Sequence, residues 1–485
     1  MNKNLTQKYR QMNIGVRAGL WFTFCNLAQK GISFLVLPIF TRIMSQADYG
    51  IYNTYTSWYN FLSIFTSLGL SFYVFSKGMV KYENDRDEFV ISIQSLSTTA
   101  TLLAFVVYII LRKPANSLMG LTTTMMLCMF VHMLFEPSIE YWTARKRFEY
   151  DYKKAVGLSL GIAFLNPALG IIMVLSSSDT VIARVVSATT TITLFGACLH
   201  VSILRNGKKG FSTKYWKYAL NFNIPLIPHF LASTALSQAD RVMITNLVGP
   251  KDTALYSVAY ALGMVTILFS NAIQQAILPW QYTKIKNNDY NKLPQVANIT
   301  MLIIVGIDIA FIAFAPELVS IVAPESYMKA IWAMPPVCGS VFFMYLFNMF
   351  ANIEYYFEES KFVAVASIVA ALANIGLNRI FIPLFGYAAA GYTTLVCYIL
   401  LAISHYICMI VICKKHNLSY GDIYDSKFVL LMSLVTVISV GLLVFAYDNL
   451  IIRYAIVVII CVTAFVFRDK LFDVLRTIRT KEQDN

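Results

Sequence analysis

Lys30 stands in the middle of an apolar stretch long enough to cross a bilayer. The stretch, residues 17–50, reads RAGLWFTFCNLAQKGISFLVLPIFTRIMSQADYG. Its 18–40 portion meets the roughly 20 residues that a helical crossing takes. Lys30 lies about 13 residues in, about 20 Å along a helix that rises 1.5 Å per residue, and so is too deep to snorkel. A cation at that depth costs at least about 2.5–3.5 kcal/mol unless it faces protein, water or an anion. Asn26 and Lys30 are four apart and Gln29 is three from Asn26, so the three share a helix face. That face is expected to line an interior and not lipid.

Other charges stand in apolar runs. Asp240 and Arg241 are adjacent, so their side chains point about 100° apart and are poor partners for each other. Each is expected to pair across helices, Arg241 with an acid or an anionic ligand and Asp240 with a cation. Arg184 and Arg379 fall close to the outer ends of their runs, where both can snorkel. His132, Glu136 and Glu140 form one stripe at spacing four. Such a stripe can relay protons or pair structurally. Asp308, inside IIVGIDIAFIAF, has to be neutral, paired or coupled to an ion. Asn374 and Asn378 share a face and can hydrogen-bond a ligand or another helix. The binding candidates are therefore Lys30, Arg241, Asn26, Gln29, Arg184 and Arg379, and the ion-coupling candidates Asp240, Asp308, His132 and Glu136. The 8 cysteines fall in or at the ends of apolar runs without CxxC or His/Cys metal spacing, so no metal or cofactor is implied.

The elements that must position these residues are membrane helices. The 485 residues are 58% hydrophobic and 13% charged, with a mean hydropathy of +0.61; a soluble chain of this length carries far more charge. The fold class is all-α and integral to the membrane, with about 14 spans. They lie near 17–42, 49–75, 90–111, 117–142, 155–176, 180–204, 218–246, 253–279, 295–322, 330–355, 362–383, 387–413, 428–447 and 450–467. An even number puts both termini on one side. That side holds roughly 29 lysines and arginines against about six on the other, which places both termini in the cytoplasm. These cations include Arg145, Lys146, Arg147, Arg205, Lys208, Lys209, Arg468, Lys470, Arg476, Arg479 and Lys481. The net charge of +13 is thus a topology signal and not a nucleic-acid surface. No cleaved leader is expected after MNKNLTQKYRQMN. Trp142, Trp216 and Trp280 read as interfacial anchors, and Arg42, Asp48 and Gly50 as a turn. Pro225 and Pro228 are expected to kink span 7. GxxxxGK[ST] is missing, which excludes an ATP motor in this chain.

A shift of roughly 204 residues lays Asp48-x-x-x-Tyr52 on Asp252-x-x-x-Tyr256 and Phe65 on Phe269, close to six spans. The expected organisation is an N-terminal lobe over 1–204 and a C-terminal lobe over 205–416, related by a pseudo-two-fold axis. Residues 417–485 add two further spans and a cytoplasmic tail.

LPIFTRIMSQADYGIYNTY at the end of the first span resembles the start of bacterial polysaccharide-unit exporters. So does IPLIPHFLASTALSQADRVMITNLVGPKDTALYSVAYALG, residues 224–263, with Asp240-Arg241 and Tyr256-x-x-x-Tyr260. These are the O-antigen and capsule repeat-unit flippases of the multidrug/oligosaccharidyl-lipid/polysaccharide exporter superfamily. The resemblance implies two lobes around a central cavity that alternates between the two sides. It also implies a polyprenyl diphosphate-linked oligosaccharide cargo; Lys30 then reads either as a cationic contact for the diphosphate or as one half of an internal ion pair with no cargo role. Coupling to a proton or sodium gradient is expected, in a bacterial inner membrane alongside a polysaccharide polymerase and chain-length proteins. The arginine-rich beginning of lipid II exporters is missing. A cation-coupled multidrug antiporter of the same superfamily is the rival, and a cationic midplane argues against it. A membrane glycosyltransferase or polymerase would need a large, acidic outer loop. The outer loops here are short and hold few acids, so no enzyme activity and no catalytic residue is expected.

Overall fold

The computed structural model describes residues 12–71, 73–206, 210–359, 361–466 and 468–469. Lys208, Lys209, Lys470, Arg476, Arg479 and Lys481 lie outside them. Every regular element among the described residues is helical. The chain packs as two compact units, Met1–Thr234 and Ala235–Asn485.

Unit 1 contains α1 (Ile14–Ile43), α2 (Gln46–Ser67), α3 (Tyr73–Lys81), α4 (Arg86–Ile110), α5 (Arg112–Met119), α6 (Thr123–Phe148), α7 (Tyr152–Leu175), α8 (Thr180–Asn206) and α9 (Thr213–Asn223). The next helix, α10 (Ile227–Leu247), contains the division between the units. Unit 2 continues with α11 (Pro250–Gly263), α12 (Thr266–Lys286), α13 (Leu293–Ala313), α14 (Ala315–Val322), α15 (Met334–Tyr356), α16 (Lys361–Phe385), α17 (Ala388–Lys415), α18 (Ser426–Leu442) and α19 (Leu450–Val466).

The α1–α2 corner follows from its sequence. Arg42 Nη1 donates to the Pro38 carbonyl at 2.8 Å, and Ser45 caps α2 by accepting the Asp48 amide at 3.1 Å. Asp48 sits in the first turn of α2, where the helix dipole favours an anion, and accepts from Thr180 of α8 at 2.8 Å. The turn reading of Arg42 and Asp48 thus matches the geometry.

Each expected span contains helix, but several are interrupted, among them 49–75 and 117–142, and a count of fourteen is not established. Ten helical stretches are long and apolar enough to cross a membrane, and the bent pair α5–α6 would make an eleventh. α19 is apolar but shorter, while α2 and α10 do not reach the apolarity of the others. The reason is visible in α2, QADYGIYNTYTSWYNFLSIFTS, where hydroxyls, amides and tyrosines replace aliphatic side chains. The expected eighth span is broken between α11 and α12 at Met264 and Val265.

Packing repeats within the two units. In unit 1, α8 packs against both α6 and α7, and α7 against α1. In unit 2, α17 packs in the same way against both α15 and α16. At Gly196 a Cβ would stand 2.6 Å from the Phe135 carbonyl oxygen, so α6 and α8 touch backbone to backbone. Trp280 differs from the expected anchor: it is buried within unit 2, where the adjacent Gln281 donates to the Tyr424 hydroxyl at 2.7 Å.

Candidate functional site

On α1, Lys30 and Asn26 are exposed. Neither makes a hydrogen bond or ion pair among the described residues. Gln29 is half-buried and donates from Nε2 to the Ser159 carbonyl of α7 at 3.3 Å. Gln29 therefore fixes the rotation of α1 on α7, and that rotation leaves the Lys30 ammonium uncovered. It is the only charge between Arg17 and Arg42.

Arg184 does not snorkel. It is buried at the start of α8, with its guanidinium 4.5 Å from the Phe40 ring centre and 4.9 Å from that of Tyr52. Nη1 donates to Asn166 Oδ1 of α7 at 2.8 Å and to Ser187 Oγ at 3.3 Å. Spans 1, 2, 5 and 6 thus meet at one cation held by aromatic faces and neutral oxygens. Arg379 is the opposite case: exposed on α16 and without a partner among the described residues.

Spans 7, 8, 11 and 12 meet at an anion. Asp240 of α10 is fully buried. Its Oδ1 accepts from Asn378 Nδ2 at 2.7 Å, and its Oδ2 from Thr394 Oγ1 at 2.9 Å and from the Tyr256 hydroxyl. Asn378 Nδ2 also donates to Asn374 Oδ1 at 3.2 Å, and Asn374 Nδ2 to Thr394 Oγ1 at 2.9 Å. Thr393 donates to Asn378 Oδ1. No cation pairs with Asp240 among the described residues; neutral donors satisfy it instead of the expected positive partner. No acid forms an ion pair with Arg241 among the described residues either. It lies 4.3 Å from the Tyr260 ring centre and donates to the Ser237 carbonyl at 3.0 Å and Gln238 Oε1 at 3.3 Å.

The stripe on α6 is partly open. His132 Nε2 is 3.9 Å from Glu136 Oε1, and its ring is 4.6 Å from that of Tyr59 on α2. The side chain of Glu136 is about one-third exposed, at 32%. Asp308 of α13 is buried beside Thr266 and the Phe342 backbone. Neither of its oxygens is hydrogen-bonded among the described residues, and the Thr266 hydroxyl is donated to the Gly263 carbonyl at 2.9 Å. No group of three metal-ligating side chains forms among the described residues.

Several partners were not marked by any local pattern. Asn166 is a lone amide in an aliphatic helix, and Thr394 is one of two adjacent threonines. Glu354 and His405 form a buried pair across 51 residues of sequence.

Residues 16–282 match the family model described as polysaccharide biosynthesis protein. The chain belongs to that family. A protein of the Lsg locus of Haemophilus influenzae is 22% identical over 171 residues, 33% of this chain. The match spans 40% of that relative's length. Among solved structures, the lipid II flippase MurJ in an inward closed conformation aligns over 93% of this chain and 100% of its own, at 14% identity and a TM-score of 0.66. An inward-facing multidrug resistance MATE transporter aligns over 80% of this chain and 99% of its own, at 15% identity and a TM-score of 0.57. The polysaccharide biosynthesis family member thus has the transporter fold that flippases and antiporters share, in a multi-pass membrane chain.

Proposed function

We propose that this protein is a flippase. It moves a polyprenyl diphosphate-linked oligosaccharide repeat unit from the inner to the outer leaflet of the bacterial cytoplasmic membrane by alternating access. The product feeds assembly of a surface polysaccharide. Lys30 carries the reading: it is deep in an apolar helix, exposed and unpaired among the described residues. An ammonium is a compact point charge that meets a diphosphate without a fixed bidentate geometry. Arg379, also exposed and unpaired there, and Arg241 are further cationic candidates; Asn26 offers an amide to sugar. Arg184 is occupied by its own neighbours and serves the scaffold.

The lipid portion has a matching surface in unit 2. A groove of about 750 Å³ runs among α12, α13, α18 and α19. Ile273, Ile303, Ile307, Val435 and Ile460 line it. Lipid tails are as apolar as these side chains, so the groove would hold a polyprenyl chain by close packing and not by transfer out of water. No covalent bond changes in this reaction, so the protein is read as a transporter and not an enzyme. Bias comes from a proton or sodium gradient acting on Asp240, Asp308, His132 or Glu136. Asp240 is the favoured group, since its hydrogen bonds come from neutral donors and leave its charge open to a coupling cation. Both termini lie in the cytoplasm, where lysine and arginine concentrate.

The test is the leaflet distribution of polyprenyl diphosphate-linked repeat units after depletion. Completed units should accumulate on the cytoplasmic face, rescued by the wild type and not by Lys30→Ala or Lys30→Glu. Normal surface polysaccharide in an expressed Lys30→Glu variant would remove the residue from the path. Normal outward distribution with no other flippase present, together with altered dye resistance on overexpression, would favour a drug antiporter.

A further inference from the structure

Glu354 of α15 and His405 of α17 form a carboxylate–imidazole pair in unit 2 with both side chains 0% exposed. Glu354 Oε1 is 2.6 Å from His405 Nδ1. The far atoms, Glu354 Oε2 and His405 Nε2, have no hydrogen-bond partner among the described residues. Phe347 of α15 and Phe362 of α16 lie against the imidazole, at 5.2 and 5.6 Å between ring centres. The Cys408 thiol, on the next turn of α17, lies against Glu354 and near Glu359. Glu359 is itself engaged by Lys415 at 2.6 Å and His416 at 3.5 Å. No cation other than His405 pairs with Glu354 among the described residues.

The pair has no protonation state that satisfies all its atoms. An imidazolium facing a carboxylate leaves Nε2–H as a buried donor without an acceptor. A carboxylic acid donating to Nδ1 puts the imidazole proton on Nε2, with the same result. Only the state with Nδ1–H donating to the carboxylate and a bare Nε2 lacks an orphaned donor, and it carries a net charge of −1. A lone buried charge and an orphaned donor are both costly. A static structural pair would be expected to have these atoms satisfied. The state that wins is therefore set by whether an acceptor can reach Nε2. Phe362, in the first turn of α16, packs edge-on against the ring.

We infer that Glu354 and His405 bind and release one proton during the transport cycle, which makes them a coupling site additional to Asp240. This rests on the reading of the chain as a transporter. In the release step the Nε2–H bond breaks and its electron pair stays on nitrogen. The proton passes to a water admitted past Phe362, and the Nδ1–H to carboxylate hydrogen bond is retained. The pair goes from neutral to −1. The Glu359–Lys415–His416 cluster stands on the loop after α15 and at the end of α17.

The proton itself is the first probe. Infrared difference spectra of the full chain in lipid, recorded between about pH 5 and 9, should show imidazole ring bands converting from protonated to neutral. The His405 share of these bands should be lost in His405→Gln, leaving the signal of the other four histidines. Glu354→Gln removes the hydrogen-bonded carboxylate, and its spectra should differ from those of the wild type. Glu354→Asp, which keeps the charge, should retain the titration. Identical spectra in wild type and His405→Gln would overturn the inference. The second probe is a fluorescent polyprenyl diphosphate-linked disaccharide in proteoliposomes. A pH gradient should accelerate its crossing about threefold or more in the wild type, and His405→Gln should lose that acceleration. Crossing that ignores the gradient would overturn coupling and leave the flippase reading standing. A titrating ring with no crossing of the disaccharide would support the proton site and count against the cargo.

Discussion

Arg184 in unit 1 and Asp240 in unit 2 sit at corresponding crossings of helices, one where spans 1, 2, 5 and 6 meet and the other where spans 7, 8, 11 and 12 meet. Tyr52 and Tyr256, matched by the 204-residue shift, take part in both, but differently: one lends its ring face to a guanidinium and the other its hydroxyl to a carboxylate. Neither charge forms an ion pair among the described residues. Both are held by dipoles. The difference is that guanidinium cannot lose its proton in a protein, whereas a carboxylate can gain a proton or a metal cation. The unit 1 crossing is therefore fixed in charge and the unit 2 crossing is adjustable. The same architecture supplies a permanent clasp in one place and a switchable one in the other.

The largest expected effect comes from removing the fixed charge. Arg184→Ala should cost about 3 kcal/mol, by loss of charge-assisted hydrogen bonds and two aromatic contacts. Arg184→Lys should recover less than half of that, since the planar fork is gone. Thermal unfolding in detergent is the measurement. Equal stability of Arg184→Ala and wild type would dissolve the comparison.

Asp240→Ala should cost about 2 kcal/mol, because Tyr256, Asn378 and Thr394 are left as buried groups without their acceptor. Asp240→Asn should cost less. A coupling cation bound at Asp240 stabilises the native state in proportion to ln(1 + [L]/Kd). Sodium, or acid if the proton is the ligand, should then raise the melting temperature of the wild type and of Arg184→Lys but not of Asp240→Asn. A response preserved in Asp240→Asn would move the coupling group to Asp308, the α6 stripe or the Glu354–His405 pair.

Gly170→Ala disturbs the fixed crossing without touching its charge. The added Cβ would stand 2.9 Å from both Arg184 Nη1 and Phe40 Cζ. A loss of about 1 kcal/mol is expected, because the guanidinium and ring have to shift. The matching melting curve with unchanged export would separate the clasp from cargo handling.

The smallest effect belongs to charges met by opposite charges. Arg145 contacts Asp87 at 2.5 Å and Glu149 at 2.7 Å, and Lys146 contacts Glu149 at 2.5 Å. Burial raises the Glu149 pKa, but the hydrogen bonds from Lys146 and Arg145 outweigh it and hold the group below its ordinary value. Its contribution is complete above the unfolded value and disappears as pH falls through the lower folded one. Glu149→Gln should flatten that acid limb slightly. Salt at about 1 M, where the screening length is about 3 Å, should weaken this network and leave both buried crossings intact.

Much of this was legible in the sequence because membrane helices announce themselves by length and apolarity. Lys30 stood out since its cost is independent of any neighbour, and Asn374 and Asn378 since spacing four fixes a shared face. The partners of Arg184 were not legible. In a helix such as α7, aliphatic nearly all round, no polar stripe fixes which side meets α8, so Asn166 could not be aimed at it. Arg184 was expected to snorkel from its position along the helix, but its burial depends on rotation about the axis. Glu354 and His405 escaped for the same reason: one sits at the end of α15, the other inside α17, and only packing joins them.

The polarity of α2 has a consequence for how the chain is made. Its neighbours in the folded unit are chiefly α4, α6 and α8, all later in the sequence. While α2 is being synthesised none of them exists, and lipid gives its hydroxyls and amides no partners. Secure seating of α2 therefore awaits helices made after it, the last of which, α8, begins only at Thr180, against Ser67 at the end of α2.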